Sequence, residues 1–246
     1  MQEKDIKTSP KQRILIAVIA ALMLGASVAV YIAIIISSNS SSSPTASNTQ
    51  VDEAKVAELT AKYEEKSKEY EEISDSLSSK YLEKFSGYRS EVKGYNASTI
   101  NESTAVLTKD LKIGSGEQLS ATSTGYAAYY IGWCSDETVF DSSFDNYETP
   151  TKLKAPLYVE KDSLIEGWYL GVEGMKIGGA RVVSIPGKLA YGDSQEICGG
   201  TNSPLKFLIM PIEADEKFKN LSAEMQKPYI EMIYAQYGME YKEETN

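Results

Sequence analysis

The side chains that most often move protons or bind metals are scarce in this sequence. No histidine occurs in the 246 residues, which removes the commonest general base and the commonest metal ligand. The two cysteines, Cys134 and Cys198, form no Cys-x-x-Cys pair, and no acidic loop has calcium-site spacing, so neither a metal nor a cofactor is expected. Gly174, Gly178 and Gly179 belong to no helix-opening GxGxxG after a strand and read as turn formers rather than a phosphate cradle. With 35 acidic and 25 basic side chains the formal net charge is −10, which argues against nucleic acid as a partner. What remains for chemistry is a set of aromatic and aliphatic side chains with a few hydrogen-bonding groups, the material of a dry pocket.

Several short motifs carry more than composition does. They are LKIGSGE at 111–117, AYYIGW at 128–133, VFDSSFD at 139–145, LIEGWYLGVEGMKIGGARVVSIP at 164–186, LAYG at 189–192 and SPLKFLI at 203–209. In this order and register the chain resembles the FKBP-type prolyl isomerases over nearly all of 105–213. The resemblance implies an antiparallel half-barrel sheet wrapped on one short helix, with a pocket between them. It implies Trp168 as the pocket floor and Tyr130, Phe140, Leu164, Ile165 and Phe207 as apolar walls. Asp141 and Tyr191 become polar groups at the rim, with Tyr191 donating a hydrogen bond to a peptide carbonyl, and Ile197 joins Leu164 and Ile165 in substrate binding.

Two segments depart from the family pattern. NYETPTKLKAPLYVEKDS between the FDSS and LIEGW pieces is longer than in compact members, with Ala155 or Leu157 where an aromatic usually walls the pocket. The stretch DSQEICGGTN after LAYG lacks the usual Ile-Pro-Pro, so that lip is reshaped. In the fold this resembles, the loops bearing Cys134 and Cys198 are neighbours at the pocket mouth, which implies a disulfide; two separate buried thiols are the alternative.

The implied reaction suits these side chains. An X–Pro bond has partial double-bond character and a rotation barrier of about 20 kcal/mol. Twisting breaks amide resonance, leaving a less polar carbonyl and a localised nitrogen lone pair, and an apolar aromatic pocket favours that form over the planar, dipolar one. No nucleophile or titrating base is needed. Elsewhere Trp168, Phe140 and Phe207 would read as ordinary core, and Asp141 as the opening of a turn with Ser142 and Ser143.

The elements that must position these groups follow from periodicity. Runs at 106–113, 125–133, 152–159, 181–185 and 205–212 predict strands, and 162–172 predicts a short helix, an α+β arrangement. Ahead of them, 52–96 is a helical stalk: Val56, Leu59, Tyr63, Tyr70, Ile73, Leu77, Tyr81 and Phe85 recur at steps of three and four. This stripe either docks on the neighbouring domain or supports self-association through 52–93, although its drift from a heptad and its tyrosines disfavour a coiled coil. At 214–246, Phe218, Leu221, Met225, Tyr229, Met232 and Ile233 predict a closing amphipathic helix.

The apolar, uncharged run at 14–36 reaches about 34 Å as a helix against a bilayer core of about 30 Å, and reads as a transmembrane segment. Lys4, Lys7, Lys11 and Arg13 precede it and the Ser-rich linker 37–51 follows, so 1–13 is expected in the cytoplasm and the rest outside. A cleaved signal peptide is the rival reading. A membrane-anchored isomerase acting on proline-containing exported or surface proteins is therefore expected; the alternative is an anchored, non-catalytic module of the same fold that binds chains or a partner.

Overall fold

The computed structural model describes residues 53–93, 95–102, 105–236 and 241. The expected N-terminal segment 1–13, transmembrane helix 14–36 and linker 37–51 lie outside them. Among the described residues no helix is long and apolar enough to cross a membrane. The chain forms two compact units, one running from Ser67 to Ser222 and one that includes 53–66 and 223–236. The first is wider than the expected domain at 105–213.

Along the chain the elements are α1 (Glu53–Ser86), α2 (Ala97–Glu102), β1 (Leu107–Lys112), β2 (Tyr126–Trp133), β3 (Val139–Ser142), β4 (Leu157–Val159), α3 (Glu166–Val172), β5 (Ala180–Ile185), β6 (Leu205–Ile212) and α4 (Glu216–Gln236). The strands make one antiparallel sheet in the order β1-β5-β6-β2-β3, with β4 also paired to β2.

Alternation along β2 sorts two cores. Ala127, Tyr129, Ile131 and Trp133 point to one face and pack with Val182, Leu208, Met210 and Phe144. Tyr126, Ala128 and Tyr130 point to the other, with Val183, Ile185, Phe207 and Ile209. The second face is covered by α3, where Gly171 allows close approach: an added Cβ would meet Val183 Cγ1 at 2.4 Å. Within the Ser67–Ser222 unit the first face is covered by α1, which lays Tyr81, Leu82 and Phe85 on it, with Phe85 fully buried. Two covered faces are why β2, and β6 after Lys206, read as continuous apolar runs.

The structure differs from the sequence reading in several places. Val139–Ser142 is a further strand, paired with β2. Of the expected strand 152–159 only Leu157–Val159 pairs along β2, because the preceding segment folds around Asp145, whose carboxylate accepts the backbone N–H groups of Thr151 and Lys152. Leu153 forms a lone bridge with Phe144 and donates its N–H to the buried Ser78 hydroxyl of α1 at 2.7 Å. Arg89, in a 3₁₀ turn just after α1, donates to the carbonyls of Tyr147 and Glu148, so the long insertion is held down rather than loose. The helix expected at 162–172 starts at Glu166, because Ile165 before it is extended (φ −61°, ψ 147°); the N–H groups of Ser163 and Leu164 donate to the Tyr169 hydroxyl.

In the other unit, Leu59, Tyr229 and Met232 form a small core, and Lys66 pairs with Glu224 at 2.7 Å. Leu59 and Phe85, which a self-associating seam would need at the surface, are both buried within the chain. Helix α4 covers Glu216–Gln236 of the expected closing helix 214–246; residues 237–240 and 242–246 lie outside the described residues.

Candidate active site

Four rings meet on the α3 side of the sheet. Trp168 projects from α3 and is 2% exposed. Tyr130 stands edge-on to it at 5.7 Å with planes at 81°, and Phe207 does so at 5.7 Å and 74°. Phe140 from β3 then meets Phe207 edge-on at 5.6 Å and 89°. Edge-to-face packing matches the positive ring edges to the negative faces. Their backbone sources are adjacent because β6 pairs with both β2 and β5, placing Gly132 and Val183 opposite Phe207. Gly132 leaves room for the rings: a Cβ there would lie 2.5 Å from Phe140 and 3.0 Å from Phe207.

Around the rings, Leu164 and Ile165 lie at the start of α3, and Tyr191 and Ile197 come from the segment joining β5 to β6; all four are half-buried against the same apolar cluster. Leu157, not an aromatic, fills its place in β4 on that cluster. The exposed Asp141 accepts a short hydrogen bond from the Tyr130 hydroxyl and a second, at 2.8 Å, from the Ser142 N–H. Every site residue expected from the sequence is therefore brought to one place.

Electrostatics keep the phenols neutral. Burial pushes the Tyr130 hydroxyl well above the usual tyrosine range, and its bond to Asp141 pushes in the same direction. Tyr191 is raised by burial and then by the Asp141 charge, and no hydrogen bond of its hydroxyl is seen among the described residues. The site thus presents apolar rings, one carboxylate and one available neutral donor. That set can bind and distort a peptide, but it contains no nucleophile with an adjacent base. Among the described residues no cluster of His, Cys, Asp or Glu could hold a metal ion.

The structure joins Cys134 and Cys198 in a disulfide with Cα atoms 5.3 Å apart, linking the β2–β3 turn to the 193–202 loop that carries Ile197. Two neighbours were not singled out in the sequence. Tyr126 accepts the Trp168 indole N–H at 3.2 Å, and the Ser143 hydroxyl accepts the Tyr130 backbone N–H at 2.8 Å. Period-two alternation from Tyr130 would have put Tyr126 on the site face of β2.

A family model described as FKBP-type peptidyl-prolyl cis-trans isomerase matches residues 120–210, which include every one of these site residues. FK506-binding protein 4 of Aspergillus oryzae is 39% identical over 93 residues, covering 38% of this chain and 18% of that protein. The chain thus spans about a fifth of the length of such fungal relatives. A solved peptidyl-prolyl cis-trans isomerase from Pseudomonas syringae pv. tomato is 26% identical, with a TM-score of 0.36, covering 44% of this chain and 73% of that one. The FK506-binding protein of Neisseria meningitidis serogroup A is 31% identical over 109 residues, covering 44% of this chain and 93% of that protein. The chain belongs to the FKBP-type peptidyl-prolyl cis-trans isomerase family.

For an FKBP-type domain the additions here are specific. The first face of its sheet is closed by α1, the insertion before β4 is gripped by Ser78 and Arg89, and the lip is cross-linked to the β2–β3 turn.

Proposed function

We propose that this protein catalyses cis-trans isomerisation of X–Pro bonds in polypeptide clients by a non-covalent mechanism. The observation that carries the reading is the buried Trp168 indole boxed edge-on by Tyr130 and Phe207. Proline stacks over the indole between Tyr130, Phe140, Phe207, Leu164 and Ile165, with Ile197 closing the lip. Tyr191 donates to a peptide carbonyl, and Asp141 holds the Tyr130 hydroxyl out of the apolar space. Water exclusion favours the twisted amide, whose carbonyl is less polar than that of the planar ground state.

Family membership and the filled site support turnover. The altered lip, with Cys198 replacing the usual Ile-Pro-Pro region, favours a second reading: a binding module that holds unfolded chains without useful turnover. A protease-coupled assay of the full-length protein on a proline tetrapeptide separates them, and an absence of rate enhancement leaves only the second.

The clients are exported or cell-surface proteins, reached from a membrane anchor at 14–36 with 1–13 in the cytoplasm. The apolar run, the basic residues before it and a disulfide suited to an oxidising compartment support this placement. Extraction of membranes with alkaline carbonate, after expression of the full-length chain, tests it: protein released to the supernatant with an N-terminus beyond residue 36 means that the run is a cleaved signal.

A further inference from the structure

We propose that Tyr126 is a positioning residue of the isomerase site: its buried hydroxyl accepts the indole N–H of Trp168, fixes the plane of that ring and takes the only polar atom of the floor away from the substrate. The inference rests on the isomerase reading above and deepens it.

Tyr126 and Tyr130 lie four residues apart on the same face of β2 and contact the indole in different ways. Tyr130 meets it ring-to-ring, whereas Tyr126 meets it through a hydrogen bond of 3.2 Å between two side chains that are each 2% exposed. A buried indole N–H requires an acceptor, and without Tyr126 the substrate carbonyl is the acceptor that enters the site. The planar amide has the more polar carbonyl and accepts better than the twisted one. A free indole N–H would therefore bind the ground state more tightly than the transition state and slow the chemical step. Sequestering that donor is how Tyr126 keeps the floor selective for the twist.

The test uses Tyr126→Phe, which removes one oxygen and keeps the ring, in the full-length chain carrying ¹⁵N-labelled tryptophan. Trp133 is the internal control, since its indole donates at 3.3 Å to Tyr147 in the core on the opposite face of the sheet. We expect the Trp168 indole resonance to move while that of Trp133 stays. kcat should fall about three- to tenfold, the worth of roughly one hydrogen bond, with KM unchanged or lower. A moved Trp168 resonance with unchanged kcat overturns the inference, as does an unmoved one, a change confined to a higher KM, or a shift of Trp133 that signals general loosening. Absence of turnover in the unsubstituted protein refutes the isomerase reading itself, and the inference with it.

Discussion

Arg181 on β5 closes on Asp110, its direct partner across the pairing with β1, through a forked ion pair: Nε donates to Oδ1 at 2.6 Å and Nη2 to Oδ2 at 3.2 Å. The remaining nitrogen, Nη1, donates to the carbonyls of Gly171 and Glu173 at 2.9 and 2.8 Å, at the C-terminal end of α3. A cation there satisfies carbonyls that the helix leaves open and complements its dipole. One side chain thus ties the edge strand, an inner strand and the helix that carries Trp168.

Removing it should be costly. Arg181→Ala leaves the buried Gly171 carbonyl and the part-buried Glu173 carbonyl unpaired, breaks a part-buried ion pair, and is expected to lose about 3 kcal/mol. Asp110→Ala should lose less, because the Asp110 side chain is 39% exposed and partly screened. Urea titration of both variants checks the order, and an Asp110 loss equal to that of Arg181 would contradict it.

The site residues should separate by role. Trp168→Ala empties core as well as pocket and is expected to lose about 3–5 kcal/mol of stability together with turnover. Tyr191→Phe and Asp141→Ala should lower kcat/KM while costing roughly 1 kcal/mol or less, the worth of about one exchanged hydrogen bond. Full turnover in both rim variants would mean that the site is misassigned even with the fold intact.

Alkali should unfold the protein through its buried phenols. Burial pushes Tyr126 up to about 12 and raises Tyr129 and Tyr130 as well. Below about pH 10 both folded and unfolded chains keep these protons, so stability is unaffected there. Above it the unfolded chain releases protons that the folded chain retains, so stability falls with rising pH until the folded-state values are passed. Urea midpoints should thus hold between pH 7 and 9 and drop between about pH 10 and 12. A flat profile through pH 11.5 would refute the assignment.

The Tyr129 hydroxyl is buried without a hydrogen-bond partner among the described residues. Tyr129→Phe should therefore cost nothing and gain up to about 1 kcal/mol, since an unsatisfied buried group is relieved. A clear loss in thermal melting would point to a bridging water at that hydroxyl.

The disulfide should matter for stability and for the lip. Its 64-residue span gives a loss of about 4 kcal/mol on reduction in the chain-entropy model. Intact-mass analysis after denaturing alkylation, with and without reductant, establishes the bond. Two alkylated thiols in unreduced protein from an oxidising compartment would exclude it.

Much of this was legible in the chain alone, because it is written in local pattern. Short β-type runs between turn residues located β1, β2, β5 and β6 to within about a residue or two, and steps of three and four located α1 and α4. The AYYIGW, VFDSSFD, LIEGW, LAYG and SPLKFLI pieces pointed to the rings and rim groups around Trp168, but not to Tyr126. The choices left to tertiary structure were those that depend on what faces what. The stripe of α1 pointed to docking on the neighbouring domain or to self-association, but no spacing told that Phe85 and Tyr81 would close the first face of the sheet, because an amphipathic stripe does not specify which surface it covers. Strand β3 is too short and too exposed to carry its own periodicity, and it exists because β2 offers it an edge. Tyr126 looked like one more strand aromatic until the packing of α3 brought the Trp168 N–H within reach. Local composition sets which surfaces must be buried; only the assembled fold decides which partner buries each one and where each polar atom finds its mate.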